Sequence, residues 1–364
     1  MVTVTRQQVL GHRVRAQQLD RDRTTVDEAA VLDIGVQDSG PDGAPWALAV
    51  RGVDVASLPE DELAMAWTIR GAPHVYRRSD LPAVAAAAAP FSEADAGKRI
   101  YDASKPLKAA GIGNLEALDA VAAAMRSVVT KPMVKGDVSS RVTAMVEPPF
   151  LRSCRPCDAI HLYEMPFRLA ALRAGLELEA GTSPPVLRRI AGFERSATVP
   201  EQLDVVRCYL RLLGPATPRH VATYLDAPVA DVKARWPDDA LSVSVEGETR
   251  WVLGVEAADL AADPPATLRL LGPFDLFLQA RDRELLVADA ARSKALWPVL
   301  GRPGGILVDG EVAGTWRPRK AGGTLRIQVE PWVRSTAGLR DRIGEQAQRL
   351  AAHRGLRLAG VEEG

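Results

Sequence analysis

Residues 213–239 read LGPATPRHVATYLDAPVADVKARWPDD. A short helix, a tight polar break and a second short helix over about Val229 to Trp236 are the spacing of a helix-turn-helix. Upstream, PEQLDVVRCYLRLL supplies a preceding helix. Downstream, LSVSVEGETRWVLG alternates apolar and polar residues on both sides of Glu246-Gly247, the pattern of a two-stranded wing. Residues 200–254 are therefore expected to form a winged helix. Its second helix offers only Lys233 and Arg235 to a groove, with Asp231 turned outward against phosphate. We expect a building block of a larger body, not a reader of base sequence.

Composition bounds the rest. The chain has 364 residues, with 46 Lys+Arg balanced by 46 Asp+Glu, so any positive stripe for nucleic acid must be local. Hydrophobic residues at 47% and charged residues at 25% are ordinary globular usage and exclude a fibre or a disordered chain. The length suits two to four domains. The apolar run AVAAAAAP at 83–90 is too short to span a bilayer. The N-terminus lacks an apolar signal core and three cysteines are too few for a disulfide framework, so the cytoplasm is the expected compartment. In CRPCDAIHLYE, Cys154, Cys157, His161 and Glu164 invite a zinc reading. Cys208 stands alone, however, and core cysteines before a wing are commoner, so neither a metal nor a cofactor is expected.

Four segments follow: 1–96, 97–196, 197–264 and 265–364. In the first, TRQQVLGHRVRAQQL is an amphipathic helix capped by Thr5, with Val9, Leu10, Val14 and Leu19 on its apolar face. VDEAAVLDIGV reads as a second helix, WALAVRG as a strand, and about Pro59 to Thr68 as another helix. In the second, NLEALDAVAAAMRSVV and KGDVSSRVTAMV are helices, the latter capped by Asp137 or Ser139. HLYEMPFRLAALRAGLELEAGTSPPVLRRI then gives a helix and a hairpin. The last segment, with GILVDGEVAGTWRPRKAGGTLRIQVEPW, places Asp309-Gly310 and Gly322-Gly323 between alternating strands, so a small β-barrel or sheet fits. A closing helix carries Leu339, Ile343 and Leu350.

Tandem winged helices before a β-rich end, with GVQDS and RGAPH in the first segment and GILVDGEVAGTWR in the last, resemble the bacterial winged-helix DNA-binding family of the AlkZ and YcaQ DNA glycosylases. The resemblance covers nearly the full chain. It implies an α+β fold of three tandem winged helices followed by a small β-barrel, C-shaped overall, with DNA in the concave face. It also implies a role excising N7-alkylated purines or unhooking crosslinks by N-glycosidic hydrolysis. The family's motif is Gln-x-Gln or Gln-x-Asp. Gln37 matches its first position, Ser39 falls on the second, and Asp38 occupies the spacer.

An N7-alkylated purine already carries positive charge and leaves readily. What remains is to stabilise an oxocarbenium-like sugar and to place a water beneath it. Gln37 can hold that water, Asp38 can polarise it or face the developing charge, and Ser39 can add a weaker hydrogen bond. A Gln-Asp-Ser-Gly run is equally an ordinary turn. For DNA contact the candidates are Arg70, His74, Arg77 and Arg78 in the first segment, although a histidine there is as readily structural. Lys105, Lys108 and Lys135 follow in the second, and Arg317, Arg319 and Lys320 in the basic hairpin of the last. The expected partner is damaged or alkylated double-stranded DNA, bound by a monomer that is nucleoid-associated in that state. A non-catalytic DNA-binding protein or transcription regulator of the same architecture is the alternative.

Overall fold

The computed structural model describes residues 2–41 and 43–364, with Cys157 described by its backbone alone. Contacts divide the chain into a terminal unit of Met1–Leu58, Cys208–His220 and Pro237–Gly364, and an inserted unit of Pro59–Arg207 and Val221–Trp236. Both mix helices and sheets, an α+β composition. No helix among the described residues is long and apolar enough to cross a membrane.

In the terminal unit the helix Arg6–Ala16 starts at Thr5, whose hydroxyl accepts from Gln8 N–H while the Gln8 side chain accepts from Thr5 N–H. This reciprocal cap satisfies two of the donors that a helix start leaves orphaned. Val9, Leu10 and Val14 are buried, as their spacing predicts. A three-stranded sheet sets Val2–Val4 parallel to Ala240–Val245, which pairs antiparallel with Glu248–Leu253. Its apolar face joins Val4, Val9, Val243, Val245 and Val252 in one core. The turn falls on Glu246 (φ 49°) and Gly247 (φ 82°), the two left-handed positions a tight hairpin needs.

The C-terminal strands order as Leu268–Leu271, Gly304–Val308, Glu311–Ala321, Thr324–Pro331 and Arg357–Glu363, antiparallel except for the last pair. This sheet is open, which corrects the expected β-barrel. Alternation in Thr324–Pro331 turns Leu325, Ile327 and Val329 inward. The helix Ala337–His353, with Ile343, Ala347, Leu350 and Ala351 buried, packs against both edge strands. A helix thus covers the apolar face that a barrel would cover by closing on itself.

Three local expectations fail between residues 26 and 68. VDEAAVLDIGV forms only the short 3-10 turn Ala30–Asp33 before the strand Val36–Gln37, because Gly35 at φ 89° leaves helical space. WALAVRG is not a strand. Pro45 starts the helix Ala44–Ala49, in which Trp46, Ala47 and Leu48 are all buried and erase any period of two. The expected helix near 59–68 contains the strand Leu63–Trp67, held by antiparallel pairing with Pro73–Arg77 on one side and Leu176–Leu178 on the other.

The inserted unit packs the helices Asn114–Val128 and Glu164–Arg173 against a sheet ordered Pro73–Arg77, Leu63–Trp67, Leu176–Leu178, Val186–Arg189 and Met133–Val134. The helix Lys135–Thr143 begins without a side-chain cap, so neither Asp137 nor Ser139 plays that part. Helices Val205–Leu213, Pro218–Leu225 and Val229–Lys233 precede the 240–253 hairpin in the expected order, the last ending before Trp236. Part of its polar surface is engaged inside the inserted unit, while Lys233 stands exposed. Asp231 accepts from the Ser92 hydroxyl at 2.9 Å instead of pointing outward, and Arg235 lies over the Phe91 ring at 4.5 Å.

Candidate active site

Gln37 ends a two-residue strand of the terminal unit, and the next two residues lead away from it half-buried. Two ion pairs with buried carboxylates bracket this stretch. Before it, Asp33, 4% exposed, meets Arg211 at 2.6 Å. After it, at the end of the helix Ala44–Ala49, Arg51 grips Asp275 through two hydrogen bonds of 2.7 and 2.8 Å and also donates to Gln17 O. Trp46 fixes the same helix by donating its indole N–H to Leu270 O at 2.7 Å. The candidate residues therefore hang from rigid supports, which catalytic geometry requires.

Within the stretch, Asp38 Oδ1 accepts the first backbone N–H of the helix, that of Ala44, at 2.8 Å. Gly43 permits this approach, since a Cβ there would stand 2.0 Å from the carboxylate oxygen. Burial pushes the Asp38 pKa up from its ordinary value, and the Ala44 N–H partly opposes the shift. Gln37 donates its amide N–H to Ser39 Oγ at 3.0 Å. The other end of that amide, Oε1, is buried with no hydrogen-bond partner among the described residues. An acceptor left so costs about 1–3 kcal/mol. An oriented amide acceptor can position a water, and a carboxylate with one oxygen fixed by a backbone N–H can face positive charge.

The expected DNA contacts divide sharply. Lys105 and Lys108 stand exposed on the helix Ser104–Ala109, and Arg319 and Lys320 stand exposed near the hairpin tip. None of the four makes an ion pair among the described residues. Arg317 is exposed and donates to Gly301 O at 2.7 Å. Others are engaged within the protein: Arg70 with Tyr224 O, Arg77 with Asp80, Arg78 with Glu177, and Lys135 with Glu164. His74 is wholly buried, which leaves no surface for a phosphate. Its Nδ1 lies 3.0 Å from Ala72 O and 3.1 Å from Thr68 Oγ1, and burial, reinforced by Arg70, lowers its pKa to about 3. This is the structural reading of that histidine.

For the zinc alternative, Cys154 is a buried thiol outside any disulfide, and the Cys157 side chain lies outside the described residues. Among the described residues no group of His, Cys, Asp and Glu could hold a metal ion. Sequence reasoning missed the Ala44 N–H that holds Asp38, although Gly43-Ala44-Pro45 carries the local signal of a helix start. It also missed His12, fully buried with neither ring nitrogen hydrogen-bonded to a side chain.

A family profile described as DNA glycosylase AlkZ-like matches residues 31–353. Among solved structures, Streptomyces sahachiroi DNA glycosylase AlkZ superposes with a TM-score of 0.74 at 20% sequence identity, covering 100% of this chain and 100% of that one. At this identity the likeness is one of fold. No curated protein matches the chain.

Proposed function

The chain belongs to the AlkZ-like DNA glycosylase family, and from that premise we propose that it hydrolyses the N-glycosidic bond of N7-alkylated purines in double-stranded DNA, excising the base or unhooking a crosslink. The observation that carries this reading is the buried, unpartnered Gln37 Oε1, one residue along the chain from the Asp38 carboxylate that the Ala44 N–H fixes. The positively charged base departs without an acid. Gln37 Oε1 accepts a hydrogen bond from the attacking water, which relieves its own unmet demand. Asp38 faces the oxocarbenium-like sugar with the oxygen that Ala44 does not hold, and that oxygen takes the proton the water gives up as it bonds to the sugar's C1′. Ser39 acts at one remove, by fixing the Gln37 amide so that its oxygen, and not its nitrogen, is presented.

On this reading DNA is held by a monomer built from winged helices over 1–96, 97–196 and 197–264, with the open C-terminal sheet beyond. Lys105, Lys108, Arg319 and Lys320 contact phosphate. One observation favours the alternative of a non-catalytic binder. Ser39 stands where the family motif carries an amide or carboxylate, and its hydroxyl is already taken by Gln37. The two readings separate in one assay of free N7-methylguanine released from methylated duplex, using wild type, Gln37→Ala and Asp38→Asn at equal DNA occupancy. Release that falls in both variants supports hydrolysis. Intact binding with no release by wild type transfers the protein to the binding class.

A further inference from the structure

Two arginines near the C-terminal sheet lack a carboxylate. Arg283 opens the short helix Arg283–Leu286 and lies over the Trp297 ring, 4.8 Å from its centroid. Arg302 lies over Phe274 at 5.2 Å. Neither makes an ion pair among the described residues, and the buried acids close to them in sequence are committed: Asp282 to Arg13 and Arg250, Asp275 to Arg51. What faces these arginines is more positive charge. Burial first, then Arg281, hold both below the usual arginine value, and Arg302 adds to the effect on Arg283. Arg283, Ser293, Lys294 and Trp297 line a hollow of about 470 Å³, in which Glu284 is the acidic member.

Trp297 and Arg302 flank a turn that ends in two apolar side chains. Val299 is 96% and Leu300 86% exposed, among the most exposed large hydrophobic residues of the chain. The turn is braced from behind. Arg317 donates to Gly301 O at 2.7 Å, Trp297 donates its indole N–H to Leu278 O at 3.2 Å, and Gly301 takes the left-handed φ of 65°. A braced apolar tip between unneutralised cations does not suit a globular protein partner, whose interface core is depleted of charge. It does suit a duplex, which offers phosphates on both sides of a groove into which apolar side chains can wedge.

We propose that this edge of the terminal unit is a duplex-DNA clamp, in which Arg283, Lys294 and Arg302 take backbone phosphates and Val299-Leu300 enters the groove between them and loosens a base step. The clamp rests on the reading of the protein as one that acts on DNA. It adds positioning residues that the Gln37–Asp38 site does not include. A lesion base must leave the stack before its glycosidic bond is reached, and a wedge lowers the cost of that step.

The test uses the full-length protein and an undamaged duplex of about 20 base pairs, with binding followed by anisotropy from roughly 50 to 300 mM salt. Arg283→Gln/Arg302→Gln should weaken binding about 10- to 100-fold at low salt and reduce the slope of log affinity against log salt by about two, since each phosphate contact contributes about 0.9. Arg283→Lys/Arg302→Lys should restore most of the slope. Val299→Ser/Leu300→Ser should keep the slope but lose the fluorescence rise of a 2-aminopurine placed in the bound duplex. If the Gln variant, melting like wild type, keeps both affinity and slope, the clamp is overturned. An unchanged 2-aminopurine signal overturns the wedge. So does binding to phosphatidylglycerol vesicles, in preference to duplex, that both variants abolish. The same samples are assayed for N7-methylguanine release. Wild type that binds but releases no base, with the expected slope loss in the Gln variant, supports the clamp and sinks the hydrolytic reading. Release that persists with an unaltered slope in the Gln variant sinks the clamp alone.

Discussion

Asp38 can lose its charge without losing its place, because an asparagine carbonyl still accepts the Ala44 N–H that holds the carboxylate at 2.8 Å. Asp38→Asn is therefore expected to slow base release roughly ten- to a thousandfold, the scale of one electrostatic or general-base contribution, with duplex affinity unchanged. Protonation removes the same charge. Since burial raises the Asp38 pKa, the acid limb of the wild-type rate profile should lie above the ordinary aspartate value of 3.8, and that limb should vanish in Asp38→Asn. Equal limbs in the two proteins would assign the titration to another group. Gly43 extends the argument to a residue with no side chain. A Cβ there would stand 2.0 Å from Asp38 Oδ1, so Gly43→Ala should displace the carboxylate and reproduce the kinetic loss of Asp38→Asn. Full activity in Gly43→Ala, measured in single turnovers, would show that the observed position of the carboxylate is not the one used in the reaction.

The helix Ala44–Ala49 is short and depends on its anchors more than on its own hydrogen bonds. Arg51→Met leaves Asp275 buried and uncompensated, and should cost about 3–5 kcal/mol in a denaturant titration. A loss below about 1 kcal/mol would mean that water reaches the pair. Elements of this kind were the least legible in the sequence. Turns at Glu246-Gly247, Asp309-Gly310 and Gly322-Gly323 fall where they were read, because left-handed φ values select glycine and its neighbours from a small set. The long helices Asn114–Val128 and Ala337–His353 expose one face and so keep a readable period. Trp46, Ala47 and Leu48 are buried on every side and keep none. In Leu63–Trp67, alanines at 64 and 66 favour helix, and strand pairing on both sides overrides them. The candidate site was legible as a three-residue motif, but its setting was not. Arg211 meets Asp33 from 178 positions away, and no local pattern encodes such a partner.

Across the whole molecule, two buried histidines couple stability to pH. Burial lowers His12 to about 4 and His74 to about 3, against 6.5 when unfolded. The unfolded chain takes up both protons as pH falls through 6.5, while the native state refuses them until near 4 and 3. Stability is therefore lost on acidification, by about 1.4 kcal/mol per pH unit for each histidine once below 6.5. Urea titrations at pH 5 and 7 should show this slope, and His12→Leu should reduce it by about one proton; an unchanged slope would place the proton uptake elsewhere. A last consequence lies in the parallel pairing of Val2–Val4 with Ala240–Val245. A ribosome delivers the chain from its N-terminus, so the first strand emerges long before its neighbour exists. Pro59–Arg207, the larger part of the inserted unit, is synthesised entirely within that interval. The residues of the candidate site belong to the part that must wait, so a nascent chain stalled before residue 240 would carry Gln37 and Asp38 without Leu270 and Asp275, which anchor the helix that holds the carboxylate.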